Sequence, residues 1–191
     1  MTPLEYMAQR FEIDVSANQR MPIEIFDTDR QDLASLFREL GYTEGVEVGT
    51  KVGRYAKMLC LANRFLHLTC VDPYQPYNAD IVRMPSLDAV HDFEDGSLDF
   101  VYLDGDHEFS SVTADLTAWL PKLRPGGIMS GHDYVRRNAA SLRRGYIVQV
   151  VEALAGFTEA WYIRPWFVLG GKAIDPYYRR DRPRSWMWVK A

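Results

Sequence analysis

Apolar positions recur along the chain with two different spacings, which predict helices alternating with short strands. Between Asp29 and Leu40 the spacing is helical, and Gly41 follows as a stop signal. Further helices are predicted over 55–61, 87–93, 112–123 and 141–154. Short apolar runs predict strands over 46–48, 66–71, 81–84, 100–103, 128–130, 161–169 and 185–190. This alternation indicates βαβ units and an α/β fold with a mostly parallel sheet.

The length of 191 residues suits one domain, and the sequence contains no internal repeat or low-complexity tract. We therefore predict a single domain over 1–191. Residues 1–28 form an N-terminal extension whose structure the pattern does not define, because Pro3 and Pro22 would interrupt any long helix.

Charge and composition narrow the class of protein. The net charge of −4 argues against a nucleic-acid binder, which normally carries a basic face. The two cysteines, Cys60 and Cys70, are not spaced for a zinc site and are typical of a reduced intracellular protein. Neither a signal peptide nor an apolar run of membrane-spanning length is present, so we expect a cytoplasmic protein with no membrane partner.

Polar clusters follow the predicted strands at their carboxyl ends, where open α/β sheets bind ligands. The first cluster, Glu47-x-Gly49-Thr50-x-x-Gly53, would let a nucleotide-like cofactor approach the backbone closely, although an ordinary strand-to-helix turn also favours glycine. Asp72 ends the next strand, 23 residues after Gly49. An acidic residue at this point commonly binds the ribose hydroxyls of an adenosine, and its alternative role is to cap the turn before Pro73.

The ordered set of motifs is more specific than any one of them. It comprises Val46-Glu47-Val48-Gly49-Thr50, Val71-Asp72-Pro73-Tyr74, the stretch Ser97 to His107 with its Asp104-Gly105-Asp106-His107 end, Leu123 to Gly127, and Gly131-His132-Asp133-Tyr134. Together they resemble the class I S-adenosylmethionine-dependent methyltransferases, in particular a small subgroup with Asp-Gly-Asp-His after the fourth strand. The match covers residues 29–135, with a weaker similarity over 185–190.

The resemblance implies a fold, a cofactor and a reaction. The fold is a Rossmann-like three-layer sandwich with a C-terminal antiparallel strand pair. The cofactor is S-adenosylmethionine, and the reaction is methyl transfer to a hydroxyl or amine of a small molecule. The residues that the resemblance assigns to the cofactor are Glu47, Gly49, Thr50, Gly53, Asp72, Pro73, Ser86, Leu87, Asp104 and Gly105, with Ser86 and Leu87 flanking the adenine.

Two strand ends carry further acid, base or metal candidates. Asp104, His132 and Asp133 have the spacing at which related O-methyltransferases hold Mg²⁺, although a histidine ligand suits Mn²⁺ or another transition ion better. Alternatively, His107 or His132 is a general base that Asp106 or Asp133 orients, which makes Asp106, His107 and His132 the catalytic candidates. A third interpretation is purely structural, with His132-Asp133-Tyr134 capping the next segment. The sequence leaves these three open.

One departure from the family concerns the segment after Asp72. Only eight residues, 73–80, precede the predicted third strand, whereas a helical crossover usually needs about 10–12. Either the helix is absent or the strand at 81–84 is wrong. An absent helix would favour a cofactor-binding sensor or scaffold without methyl transfer. An NAD-type dehydrogenase is disfavoured, because Lys51 stands where a middle glycine would be.

The acceptor is only partly constrained. Tyr134, His132 and the loop 171–184 are the candidates for shaping its pocket. Arginine pairs at 136–137 and 143–144, with the cluster at 179–184, either form a solvated surface or recognise an anionic acceptor. A homo-oligomer is compatible with this interpretation.

Overall fold

The computed structural model describes residues 1–16, 19–73, 81–135, 149–170 and 183–191, which contain one eight-stranded sheet. Its strands are β1 (Ile23–Ile25), β2 (Glu44–Val48), β3 (His67–Val71), β4 (Ile81–Val82), β5 (Leu98–Leu103), β6 (Leu123–Tyr134), β7 (Phe167–Leu169) and β8 (Arg184–Val189). The helices of the described residues are α1 (Pro3–Arg10), α2 (Arg30–Glu39), α3 (Arg54–Ala62), α4 (Ser86–Ala89), α5 (Phe109–Trp119) and α6 (Val150–Ala160).

The strand order in the sheet is β1-β7-β8-β6-β5-β2-β3-β4. All pairings are parallel except those of β8, which lies antiparallel between β6 and β7. The predicted Rossmann-like α/β fold with a C-terminal antiparallel strand pair is therefore confirmed. In this order the carboxyl ends of β2, β3, β5 and β6 lie side by side along one edge of the sheet.

Alternating side chains of the strands build a separate core on each face of the sheet, and β5 shows the pattern clearly. Phe100 and Tyr102 pack into the core formed with α1, α2 and α3, while Val101 and Leu103 pack into the core formed with α4, α5 and α6. All four side chains are buried. A strand covered on both faces reads as a continuous apolar run, which explains why the sequence predicted β5 so well.

Several predicted elements differ from the structure in their bounds. Strand β6 extends from Leu123 to Tyr134 rather than over 128–130 only, because the segment that resembles a turn continues the strand past a register shift against β5. The strand predicted over 161–169 contains only Phe167–Leu169. Helix α6 runs to Ala160, beyond the predicted end at residue 154, and residues 141–148 of that prediction lie outside the described part of the chain.

The segment before residue 29 contributes to both the sheet and the core. Helix α1 begins at Pro3, and Thr2 caps it reciprocally with Glu5. Proline is well tolerated at the first helical position, where its missing N–H has no helical partner in any case. Met7 of α1 is fully buried, and Ile23 of β1 pairs with Phe167 of β7.

Strand β4 settles one of the alternatives raised by the short segment after Asp72. Ile81 and Val82 pair in parallel register with Cys70 and Val71 of β3, so a third strand begins where the sequence predicted it. It is shorter than the predicted 81–84. Residues 74–80 lie outside the described part of the chain.

Candidate functional site

A cleft of about 890 Å³ opens at the carboxyl ends of β2, β3, β5 and β6. Most of the residues that the sequence predicted for a cofactor or for catalysis line it. These are Glu47, Gly49, Thr50, Asp72, Pro73, Ser86, Leu87, Asp104, Gly105, Asp106, His107 and Asp133. The convergence of polar strand ends in a single cleft is the arrangement expected of a ligand site in an open α/β sheet.

The turn after β2 depends on glycine at one position. Gly49 has a φ of +85°, and a Cβ atom there would lie 2.2 Å from the carbonyl oxygen of Asp104. Its N–H donates to the carbonyl of Val71, while the N–H of Asp104 donates to Val48. The missing side chain therefore lets the turn after β2 lie directly against the chain leaving β5, and this closes the floor of the cleft.

Asp72 holds this glycine turn from the neighbouring strand. Its carboxylate Oδ2 accepts a hydrogen bond of 2.6 Å from the N–H of Lys51, and the side chain is buried at the wall of the cleft. Lys51 itself has a positive φ of 52°, a conformation that non-glycine residues seldom adopt. The bond therefore fixes an unusual turn, so Asp72 has a structural role in addition to the binding role predicted for it.

Glu47 is a buried carboxylate at the centre of the cleft floor, with only 2% of its surface exposed. Burial raises its pKa to about 8, and the negative charges of Asp104 and Asp72 act in the same direction. Among the described residues, none donates a hydrogen bond to its Oε2 atom. A buried acceptor without a donor is costly, which makes Glu47 well suited to bind a cationic or hydrogen-bond-donating ligand group.

Two carboxylates and two histidines gather where β5 and β6 end. Nε2 of His107 lies 2.7 Å from Oδ2 of Asp133. Nδ1 of His132 lies 3.4 Å from the same oxygen and 3.7 Å from Oδ1 of Asp104. Asp133 thus stands between both imidazoles, in a left-handed backbone conformation with a φ of 57°.

The pKa values of this cluster are shifted in opposite directions. Burial raises the pKa of Asp104, and His132 only partly offsets the effect. Burial would also raise the pKa of Asp133, but His107 and His132 together hold it below its usual range. The adjacent carboxylate of Asp133 raises the pKa of His107. Such opposed shifts in one cleft are typical of functional acid–base groups.

The same cluster provides a set of metal ligands. One ligand atom each from Asp104, His107 and Asp133 lie within 4.8 Å of one another. From the sequence we predicted Asp104, His132 and Asp133 as the ligands. In the structure the three close ligand atoms belong to Asp104, His107 and Asp133, so His107 replaces His132. Two carboxylate oxygens and one imidazole nitrogen form a mixed donor set, which fits Mn²⁺ or a similar ion better than Mg²⁺.

At the other end of the cleft, two polar residues line the wall, Ser86 of α4 and Asp115 of α5. The indole N–H of Trp119 donates to the hydroxyl oxygen of Ser86 at 2.8 Å, and Ser86 acts to lower the pKa of the neighbouring Asp115 carboxylate. Asp115 is 8% exposed, and burial raises its pKa. Ser86 lies beside Leu87, where the resemblance places the adenine.

Some predicted residues do not line the cleft. Gly53 caps the start of α3 with a φ of 70°. His132 lies behind the cleft, beside a small void next to Trp186. Tyr134 is buried against Trp166 and Arg184. Residues 171–182 of the proposed acceptor loop and the arginines at 136–137, 143–144 and 179–182 lie outside the described part of the chain.

The sequence missed several residues that line the cleft. Arg30 and Tyr55 come from α2 and α3, with the guanidinium of Arg30 5.5 Å from the centre of the Tyr55 ring. Ser111 and Asp115 come from α5. None of these follows a strand directly, so the rule based on strand ends could not identify them.

Known proteins share both the fold and part of the sequence. Residues 46–134 match a family model described as a methyltransferase domain. The O-methyltransferase of Bacillus cereus, solved in complex with SAH, is 19% identical with a TM-score of 0.59, covering 98% of this chain and 90% of that chain. The SAH-bound methyltransferase of Podospora anserina is 13% identical with a TM-score of 0.58, covering 85% and 78%.

Among curated proteins, an uncharacterized protein of Sinorhizobium fredii is 38% identical over 53 residues. That stretch is 28% of this chain and spans only 6% of the length of the relative.

The sheet order and the cleft give the chain the fold of the class I methyltransferases. The resemblance to these methyltransferases found in the sequence is confirmed over residues 46–134, which match the methyltransferase-domain model. Within the described ranges, no helix has the length and apolar character needed to cross a membrane.

Proposed function

We propose that the chain transfers a methyl group from S-adenosylmethionine to a hydroxyl or amine of a small molecule. The observation that carries this proposal is the cleft floor formed by Gly49, Asp72 and Glu47, where Oε2 of Glu47 receives no hydrogen bond from the described residues. The two SAH-bound neighbours with the same fold support it, as does the family match. The acceptor class is proposed from the resemblance.

Different described residues would bind the three parts of the cofactor, which are the methionine end, the ribose and the adenine. Oε2 of Glu47 would accept a hydrogen bond from the ammonium group of the methionine end, since it is buried and no described residue donates to it. Asp72, already fixed by the N–H of Lys51, would bind the ribose hydroxyls. Ser86 and Leu87 would flank the adenine. Thr50, Pro73 and Gly105 line the wall between these points.

The cluster of Asp104, His107 and Asp133 would serve the acceptor. In the reaction a lone pair of the acceptor oxygen or nitrogen attacks the methyl carbon, and the carbon–sulfur bond breaks with its electron pair going to sulfur. The acceptor proton must then leave. His107 would take it in its neutral form while Asp133, 2.7 Å away, orients the imidazole and stabilises the resulting charge. His132 and Asp106 would position these two groups rather than receive the proton.

A divalent cation is the alternative for the same cluster. Asp104, His107 and Asp133 fit it as ligands, since their donor atoms lie close together and both carboxylates face the cleft. Such an ion would lower the pKa of an acceptor hydroxyl. In that case His107 is a ligand and not the base, so chelator-sensitive turnover that Mn²⁺ or Mg²⁺ restores would select this alternative over general-base catalysis.

The proposal is tested by binding and turnover together. Calorimetry should detect S-adenosylmethionine and SAH, NAD should fail to bind, and an SAH-release assay over a panel of hydroxyl and amine acceptors should find turnover. Cofactor binding without turnover on any acceptor would favour a sensor or scaffold, the alternative suggested by the short segment before β4. Binding of NAD in place of SAH would overturn the proposal.

Substitution of Asp72 tests the ribose assignment. Asp72→Ala removes both the ribose acceptor and the bond to Lys51, so we expect SAH affinity to fall by at least about tenfold. Asp72→Asn keeps a carbonyl oxygen that can still accept from Lys51, and it should retain more of the affinity. The matched control is Asp88→Asn, an exposed acid on α4 outside the cleft lining. Unchanged SAH affinity in Asp72→Ala would remove the assignment.

A further inference from the structure

The loop between β5 and α5 carries His107, and Asp106 fixes one side of this loop. Oδ1 of Asp106 accepts hydrogen bonds from the N–H groups of His107 at 2.6 Å and of Glu108 at 3.3 Å. Its Oδ2 accepts a hydrogen bond from the hydroxyl of Ser111 at 2.7 Å. These bonds shape the loop from within, but they do not join it to an element that is distant in the sequence.

Gln149, the residue before α6, provides an anchor from a distant part of the chain. Its N–H donates to the carbonyl of His107 at 2.8 Å, and its side-chain Oε1 accepts from the N–H of Phe109 at 3.1 Å. The carbonyl of Gln149 accepts from the N–H of Ala153, inside α6. Gln149 therefore binds the loop at two points and is continuous with a helix.

Helix α6 holds Gln149 in a fixed position. Val150, Ala153 and Leu154 of this helix are buried in the core that it forms with α4 and α5. Gln149 is not among the described residues that line the cleft. Its effect on the site is therefore exerted through the loop.

The position of His107 depends on both of these anchors. Its Nε2 lies 2.7 Å from Oδ2 of Asp133, an atom that belongs to a different strand. Asp106 holds the N–H of His107, and Gln149 holds its carbonyl, so the backbone on both sides of the imidazole is fixed. A misplacement of about 1 Å in a reacting group can lower a rate by about a hundredfold.

We propose that Gln149 is a positioning residue of the methyl-transfer site, which holds the loop so that the imidazole of His107 faces Asp133. The inference rests on the proposed function, in which His107 takes the acceptor proton or binds a cation. Both roles require the imidazole at the same place, so both require the same anchor.

Two variants separate the acceptor oxygen of Gln149 from the bulk of its side chain. Gln149→Leu removes Oε1, so the N–H of Phe109 loses its partner and the loop can shift. We expect kcat to fall by at least about tenfold, while KM for S-adenosylmethionine stays within about twofold. Gln149→Glu keeps an acceptor oxygen at this place and should retain most of the wild-type kcat. Ser110→Ala, at an exposed position on the first turn of α5, is the matched control and should change neither constant.

Crystal structures of the wild type and of Gln149→Leu provide a second measurement, which does not require turnover. In the wild type, Nε2 of His107 should lie within hydrogen-bond distance of Oδ2 of Asp133. In Gln149→Leu we expect this distance to exceed about 3.5 Å.

The results separate positioning from a purely structural role. An unchanged distance in Gln149→Leu, or a kcat that falls equally in Gln149→Leu and Gln149→Glu, would show that Gln149 only supports the fold, and the inference would be wrong. If Gln149→Leu does not fold, hydrogen exchange of the wild type decides, because the N–H of Phe109 should be protected. Exchange at the unprotected rate would overturn the inference. Absence of turnover in the wild type would contradict the proposed function alone, since the distance and the hydrogen exchange are measured without it.

Discussion

At the scale of single residues, the site contains positions where few other amino acids can be accommodated. Gly49 and Glu47 illustrate two kinds of constraint. The first is steric, because the backbone of Asp104 occupies the space of a side chain. The second is electrostatic, because the carboxylate of Glu47 is buried with an oxygen that no described residue satisfies.

The steric constraint predicts a large cost for Gly49→Ala. The methyl group would meet the carbonyl of Asp104 at 2.2 Å in a left-handed conformation, so we expect the free energy of unfolding to fall by about 2–4 kcal/mol. Gly96→Ala is the matched control, since Gly96 has a φ of 72° and no atom within 4 Å of the added Cβ. It should cost only about 1 kcal/mol. Urea unfolding measures both, and equal losses would show that the contact with Asp104 is unimportant.

The electrostatic constraint predicts a pH-dependent stability. The pKa of Glu47 is raised to about 8 in the folded chain, so the fold binds this proton more tightly than the unfolded chain does. Its contribution is complete below the unfolded pKa of about 4.3 and is lost as pH rises through about 8.

Glu47→Gln carries no such proton. It should therefore gain stability relative to the wild type as pH rises from about 6 to about 9, by a difference on the order of 2–4 kcal/mol. Urea unfolding at both pH values measures the difference, with Glu44→Gln, a half-exposed glutamate on the same strand, as the control. If the difference in free energy of unfolding between Glu47→Gln and the wild type does not change with pH, the assignment of the raised pKa to Glu47 is contradicted.

At the scale of elements, the ends of three strands opposite the cleft are joined by one side chain. Asp99, near the start of β5, accepts hydrogen bonds from the N–H groups of Thr43 and Glu44 at 2.6 and 2.9 Å, beside β2. It also accepts from Nε of Arg124 in β6 at 2.6 Å. The bonds hold β2, β5 and β6 in register at the end of the sheet that is remote from the cleft.

Asp99→Ala should therefore lower the free energy of unfolding by about 2–3 kcal/mol, because it removes three hydrogen bonds at a partly buried site. The control is Asp95→Ala, whose only described ion pair, with Lys122, is at a side chain 71% exposed. Its cost should be about 0.5 kcal/mol or less. Since the site is at the other end of the sheet, SAH affinity at a temperature where both variants are folded should be unchanged. A loss of affinity in Asp99→Ala would show that the two ends are coupled.

The elements also show what the sequence could predict and why. Strands β2, β3 and β5 were found because apolar runs end in glycine or aspartate, and helix α2 because its apolar positions repeat with a helical period. The turn-like sequence at 124–127 was misleading, since it continues β6 through a register shift that only the partner strand reveals. Asp104, His107 and Asp133 were predictable from strand ends. Arg30 and Asp115 were not, because their approach to the cleft depends on how helices pack against the sheet.

At the scale of the whole molecule, the sheet is assembled from distant parts of the chain. Its central strands β6 and β5 come from the middle of the sequence, and β8 from near residue 190 is inserted between β6 and β7. The core formed with α1, α2 and α3 takes its helices from residues 3–62, yet they pack with Phe167, Leu169 and Met187 from the far part of the chain. The fold is therefore rich in contacts between residues far apart in sequence, which slow folding.

The edge strand β1 can join the sheet only late in the synthesis of the described chain. Ile23 pairs with Phe167, so β1 finds its place in the sheet only after a segment more than 140 residues further along the chain has been synthesised. Until then β7, the strand that pairs with β1 in the described part of the chain, has not been made. The cleft-forming strands β2 to β6 can already pair with one another. During synthesis, the strands that form the cleft can therefore pair before β1 joins the edge of the sheet.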